Sequence, residues 1–334
     1  MKYENPFRRM AAIRGMGQVL TVAAGLVVLC AVFGILNPTF FSSRNMNNLL
    51  RQIAPILLIG IGQSYVLITG NIDLSIGSVV GMSTMISATL MTHGVDPWIA
   101  VAVTFVCCIL VGLANGLLVA GCKLPPFIAT LGTMTIARGI AQIANGNYNT
   151  DSIGPAAEGF RNFFYYGKVF GIFSTVWIAA VLWLLFNFLL ARTRSGRHVY
   201  AIGSNPEAAK LSGISILSTT VKVYAVSAVC ACVVGLTQCA SAGMGAMDAG
   251  NSYELYAVAA SVIGGVSTLG GQGILLGTVI GAAIWGVLQN GLQFAGAPVA
   301  IRNIVIGVIV VVSVLLDVIV RGGKRIKRGK FKDA

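Results

Sequence analysis

WIAVAVTFVCCILVGLANGLLVA, residues 98–120, carries no charged side chain over its whole length. As a helix rising 1.5 Å per residue it would span about 35 Å, more than the roughly 30 Å hydrocarbon core of a bilayer. Working outward, the stretches 17–36, 172–191 and 301–320 also lack or nearly lack charge. The chain of 334 residues is 56% hydrophobic and only 10% charged, with a mean hydropathy of +0.84. Soluble domains carry about 25% charge, so a soluble fold is excluded and the lipid bilayer is the chain's solvent. The 41 glycines, spread through the apolar runs, allow close helix approach in a packed bundle.

The fold class expected is therefore an all-α polytopic membrane protein. Ten spans are predicted, near 17–36, 52–70, 76–93, 98–120, 125–145, 172–191, 217–241, 253–268, 271–295 and 301–320. Of these, 76–93 is rich in Ser, Thr and Met, and 253–268 is short and ends near Gly264 and Gly265. Either would suit a broken or re-entrant helix buried in the bundle. The formal charge of +13 does not point to nucleic acid, because the basic residues gather at the ends of apolar runs. Arg8, Arg9 and Arg14 precede the first span, and Arg192, Arg194, Arg197 and Lys210 fall in one loop. Arg321, Lys324, Arg325, Lys327 and Arg328 follow the last span. With ten spans, the positive-inside rule puts both termini in the cytoplasm, with Arg44 and Arg51, which fall outside, as the weak point of the count. The expected organisation is a cytoplasmic segment 1–16, a membrane domain 17–320 with a cytoplasmic loop 192–216, and a basic tail 321–334. The seven cysteines show neither metal-ligand spacing nor a disulfide framework, and read as packing thiols.

NIDLSIGSVVG (71–81) and SYELYAVAASVIGG (252–265) each place an acidic residue and Leu before a run of small apolar residues. In the ten-span arrangement they lie five spans apart, as an inverted repeat of spans 2–5 and 7–10 requires. Asp73, beside Ser75 and Gly77, and Glu254, upstream of Gly264 and Gly265, are candidates for helix capping or gating.

The cytoplasmic loop holds SGRHVYAIGSNPEAAKLSG (195–213). Asn205 suits an N-cap and Pro206 the first helical position. Glu207 and Lys210 complement the helix dipole, and Gly213 supplies a left-handed stop. This specifies a helix of about two turns, too short to persist unless it packs against something. It reads either as an ordinary capped turn or as a knob, built from Asn205 to Lys210 with Ala208 and Ala209, that a partner grips.

The same segment resembles the cytoplasmic coupling segment of sugar-type ABC importer permeases, the ribose and galactose permease family. Further resemblance lies in FFSSRNMNNLLRQIA (40–54), LITGNIDLSIGSVVGM (67–82) with the family's Gly-x-Ile-Asp-Leu-Ser-x-Gly signature, KLPPFIATLGTMTIARGIA (123–141) and YELYAVAASVIGGVSTLGGQGILLGTVIGA (253–282). Asn71 stands where many relatives have Gly. The resemblance implies a subunit of the bacterial inner membrane that pairs with a second permease copy, identical or paralogous. It also implies a cytoplasmic double-cassette ATPase and an extracytoplasmic solute-binding protein as partners. No phosphate-binding loop of the form G-x-x-x-x-G-K-[ST] occurs, so no cofactor is expected in this chain, and ATP and Mg would sit on the ATPase.

Polar groups on apolar runs are the pathway candidates: Gln63, Arg138, Gln142, Asn145, Gln238, Gln289 and Asn290. Mostly neutral amides suit a neutral solute, a monosaccharide first, with branched-chain amino acids, autoinducer sugars or nucleosides as alternatives. An ion-coupled carrier would need a carboxylate deep in a span, and an enzyme would need a nucleophile-base or metal constellation; the sequence displays neither.

Overall fold

The computed structural model describes residues 16–302 and part of 304–319; the expected segment 1–16 except Met16, parts of the tenth span and the tail 321–334 lie outside the described residues. The elements are α1 (Met16–Leu36), α2 (Ser43–Ile68), α3 (Ile76–Thr92), α4 (Pro97–Gly116), α5 (Pro126–Ile143) and a one-turn α6 (Glu158–Arg161). After a two-residue antiparallel hairpin, β1 (Lys168–Val169) and β2 (Ile172–Phe173), come α7 (Ser174–Arg192), α8 (Arg194–Ser204) and α9 (Pro206–Leu211). The last are α10 (Ile216–Ala242), α11 (Tyr253–Ile263) and α12 (Leu275–Phe294).

Local chemistry sets the helix starts. The Ser42 hydroxyl accepts the Asn45 N–H, the Asp96 carboxylate those of Trp98 and Ile99, and the Ser215 hydroxyl that of Ser218. Among the described residues six helices are long and apolar enough to cross a membrane: α1, α2, α4 with its π-helical extension to Gly121, α7, α10 and α12. Two expected spans are shorter than a crossing. α3 has 17 residues, and α11 has 11, or about 16 Å. Both lie inside the bundle, where other helices satisfy the broken backbone. α5 is long enough but less apolar, because Arg138, Gln142 and its threonines dilute it.

Two helices organise the rest. In α2 and α10, 78% of the most apolar window is buried, against 11% in α1 and 22% in α7. α3 runs parallel to α10: Asp73 just before α3 meets Ser227, Ser83 meets Cys232, and Thr84 meets Gly235. α11 runs parallel to α2 in the same manner, with Ser261 against Gly60 and Ser64. α4 also packs on α10, and α12 packs on α2. Each half thus lays its second and third helices on the other half's first, the exchange expected of an inverted repeat.

The two acidic motifs are not equivalent within it. Asp73 precedes α3 by three residues, whereas Glu254 sits inside the first turn of α11.

Close backbone packing holds α11 to α12. A side chain on Gly277 would overlap the Gly264 carbonyl, so no other residue fits there. Gly277→Val should therefore destabilise detergent-purified protein by about 1–3 kcal/mol or more, seen as a lower melting temperature. Gly132→Val, on the open face of α5 with nothing within 4 Å, is the control and should melt like wild type. Equal melting of the two variants would contradict this packing.

Candidate functional site

The bundle has two ends. At one, the α8–α9 hairpin covers the C-terminus of α2; at the other, residues 144–173 form a folded loop over the C-terminus of α10. Three features between them form the candidate site.

The first is a buried polar chain at mid-bundle. Asp73, 2% exposed, accepts the Ser75 N–H (2.9 Å) and hydroxyl (2.6 Å) on Oδ1 and the Ser227 hydroxyl (2.7 Å) on Oδ2. Ser75 Oγ accepts from the Asn115 amide (2.9 Å), and Asn115 Oδ1 accepts from Thr133 (2.6 Å). The Tyr224 hydroxyl donates to the Ile72 carbonyl (3.0 Å). A carboxylate buried among apolar helices must be fully hydrogen-bonded, and this one thereby ties the turn before α3 to α10, α4 and α5. In this geometry Asp73 braces the turn and does not cap the helix, because Ser75 is the residue before α3 and the helix's own first N–H groups do not bond Asp73. Gly77 leaves room for Glu254 and the Gly250 carbonyl, and half-buried Glu254 lies against it.

The second is a cavity of about 270 Å³ lined by Thr84, Gln238, Asp248, Asn251 and Tyr253, together with small residues of the segment 242–250. That segment dips back from the end of α10. The 144–173 loop pairs with it: Thr150 and Gly245 exchange hydrogen bonds of 3.0 and 2.8 Å, and the Ile153 N–H bonds the Gly243 carbonyl (2.9 Å). From below, Arg138 donates to the carbonyls of Met247 (3.0 Å) and Ala249 (2.9 Å), with Glu254 and Asp248 as its nearest acidic groups. Arg138 thus faces the interior and does not reach outward along α5, because two backbone carbonyls accept from its guanidinium there. Gln238 bonds the Tyr253 hydroxyl at the cavity wall.

The other pathway candidates do not gather here. Asn145 caps a turn through the Tyr148 and Asn149 carbonyls, and Gln142 is exposed on α5. Asn290 pairs reciprocally with Asn45 beside a separate cavity of about 240 Å³ between α2 and α12, and Gln289 is half-buried nearby. Gln63 is wholly buried, and neither its amide oxygen nor its nitrogen has a partner. Such a group costs about 1–3 kcal/mol. The aromatics of the 144–173 loop divide: Phe160 and Phe164 are buried and Arg51 stacks over Tyr165 and Phe173 at 4.6 and 4.2 Å, while Tyr148, Phe163, Tyr166 and Phe170 are exposed. The Arg51 charge that strained the orientation count is held by this aromatic pair.

The third feature is the α8–α9 hairpin. Asn205 Oδ1 accepts the Ala208 N–H (3.0 Å), Pro206 opens α9, and Gly213 closes it at φ 79°. Ala209 is the buried side, while Glu207, Ala208 and Lys210 face out beside Leu211, which is 91% exposed. The loop carries one helix more than expected. α8 buries Gly196, Val199 and Ile202, a spacing of three that the apolar letters alone could have revealed. Gly203 abuts the Ile68 carbonyl so closely that a methyl group would overlap it. The Gly271 N–H bonds that same carbonyl (2.8 Å), and the Tyr200 hydroxyl bonds the Gly273 carbonyl (2.7 Å). Burial pushes the Tyr200 phenol up to about 12, so it remains a donor at neutral pH. The hairpin is thus seated on both repeats at once, at the end of α2 and at the loop leading into α12.

A bundle of crossing helices with two broken ones, a polar cavity and an exposed knob defines a multi-pass membrane transport protein. The chain belongs to the family of branched-chain amino acid transport system / permease components, which matches residues 45–314. It is 37% identical over 306 residues to the ribose import permease protein RbsC of Bacillus subtilis, covering 91% of this chain and 94% of that one. It is 36% identical to the D-allose transport system permease protein AlsC of Escherichia coli, covering 87% and 89%. With the galactose/methyl galactoside import permease protein MglC of Escherichia coli the identity is 35%, over 87% and 91%. No solved structure matches it.

Asp73→Ala leaves Ser75 and Ser227 without their acceptor and should cost about 3 kcal/mol, lowering the melting temperature in detergent. Asp73→Asn, which retains an acceptor oxygen, should lose markedly less. An alanine variant as stable as wild type would show that the carboxylate anchors nothing.

Proposed function

We propose that this chain is the membrane-spanning subunit of an ATP-driven, binding-protein-dependent importer of a monosaccharide. The observation that carries this reading is near-full-length similarity to permeases of ribose, allose and galactose import, on a fold that presents an exposed, capped knob. The chain sits in the bacterial inner membrane with the α8–α9 end in the cytoplasm and both termini on that side. Two copies, or this chain and a paralogue, form the pathway. A double-cassette ATPase, which binds ATP and Mg, grips α9, and an extracytoplasmic binding protein delivers solute over the 144–173 loop.

In this reading alternating access runs through the hairpin. Displacement of α9 moves α8, and α8 bears on Ile68 and Gly271, hence on both repeats together. The cavity beside Gln238, Asn251 and Tyr253 receives the sugar, with hydroxyl and amide groups that hydrogen-bond it without trapping an ion. Asp248 is the acidic member that would accept from sugar hydroxyls.

Two measurements test the proposal. Proteoliposomes holding the chain, its ATPase and its binding protein should take up labelled ribose, allose or galactose only with ATP inside the catalytic compartment. Uptake without any ATPase would overturn the ATP-driven mechanism, and uptake of branched-chain amino acids instead would overturn the sugar assignment. Leu211→Asp should cut ATPase co-purification tenfold or more while leaving the bundle's melting temperature unchanged. Undiminished co-purification and uptake would remove the coupling role from α9.

A further inference from the structure

We infer that Gln63 contacts the solute in a second conformation of the bundle, in which the seam between the two repeats opens from the cavity as far as Gln63 while the junction at Ile68 and Gly271 stays closed. This rests on the importer reading above. Gln63 is fully buried in α2, yet both ends of its amide are unpaired. Buried polar groups in folded proteins are nearly always hydrogen-bonded, so an amide without partners calls for a partner that comes and goes.

Its neighbours fix where it points. Gly62 lies against the Ser227 backbone of α10, while Gly60 and Ser64 lie against Ala260 and Ser261 of α11 and Thr278 of α12. At 100° per residue, the side chain between them projects into the sector where α10 and α11 face each other across α2, the seam of the exchanged repeats. On α10, the face that holds Ser227 leads after three turns, about 16 Å, to Gln238 at the cavity wall. Between them Ala231 and Val234 are wholly buried. The seam is therefore open at the cavity and shut at the level of Gln63. A path continuing from the cavity toward the hairpin end along this face comes to Gln63 next.

The chemistry suits the solute class. A carboxamide offers two donors and an acceptor without charge, which pairs with vicinal hydroxyls of a neutral sugar and releases them again. Its neutrality also means that it sets no ion requirement.

The test uses the complete complex in liposomes, with the labelled monosaccharide that the wild type moves fastest. Gln63→Leu keeps the volume and removes the polar atoms. The expected result is a melting temperature equal to or above wild type, basal ATPase within twofold, and ATP-driven uptake reduced at least tenfold. Gln63→Asn, which shortens the amide by one methylene, should retain part of the uptake. Uptake by Gln63→Leu within twofold of wild type overturns the inference. So does a melting temperature that falls in step with uptake, which would mark the amide as structural, for instance holding an ordered water. If Gln63→Leu does not assemble, Gln63→Met is judged by the same criteria. A wild-type complex that moves no sugar overturns the importer reading and this inference with it, whereas a transporting wild type with an active Gln63→Leu variant overturns this inference alone.

Discussion

A carboxylate cannot stay buried among apolar helices unless its oxygens are occupied, and Asp73 meets that demand with the Ser75 backbone and hydroxyl on one side and Ser227 on the other. The requirement fixes more than one turn. By engaging Ser227 it sets the height of the α3 start on α10, and through Ser75, Asn115 and Thr133 it fixes α4 and α5 to the same point. α3 then begins at mid-bundle and not at its surface, which is why 17 residues suffice for it. The segment 243–252 can lie across its face, where Arg138 and the loop residues Thr150 and Ile153 hold the cavity wall in place. Removing that one set of bonds would release the register on which the cavity depends.

At the other end, contact is made by backbone and not by charge. Gly203 and Gly271 meet the Ile68 carbonyl where no side chain fits, so a push on α8 would be delivered without the play that flexible side chains allow. Because Ile68 ends α2 and Gly271 leads into α12, the hairpin addresses both repeats through a single junction. Hydrogen bonding at mid-bundle and glycine packing at the hairpin end are thus complementary: one fixes register, and the other, in the proposed mechanism, would transmit displacement.

Much of this was legible in the sequence where the signal is local. The Asn205-Pro206-Glu207 start and Gly213 stop specify α9 residue by residue, and its capping bonds form as those letters require. The uncharged run at 98–120 specifies α4, and the small-residue content of 76–93 and 253–268 marks the two helices that do not cross. Long-range geometry was not legible. Whether Arg138 turned inward depended on carbonyls more than a hundred residues away, and the separation of Asn290 from Gln238 into different cavities depended on which helices are neighbours. The likeness of the Asp73 and Glu254 motifs was misleading about position, since an acidic-Leu pair reads the same before a helix as inside its first turn.

The glycine junction implies that the hairpin and the inner ends of both repeats, at Ile68 and Gly271, move as one body. Spin-label distances in the complex with its ATPase test it most directly, with one label at Lys210 on α9 and the other at Leu269 in the loop before α12, compared between the resting and nucleotide-trapped states. The expected result is an unchanged, narrow 210–269 distance in both states, while the distance from 210 to Val169 in the 144–173 loop changes. A 210–269 distance that shifts or broadens on trapping would mean that the hairpin slides over the bundle, and the glycine junction would not be the element that carries the motion.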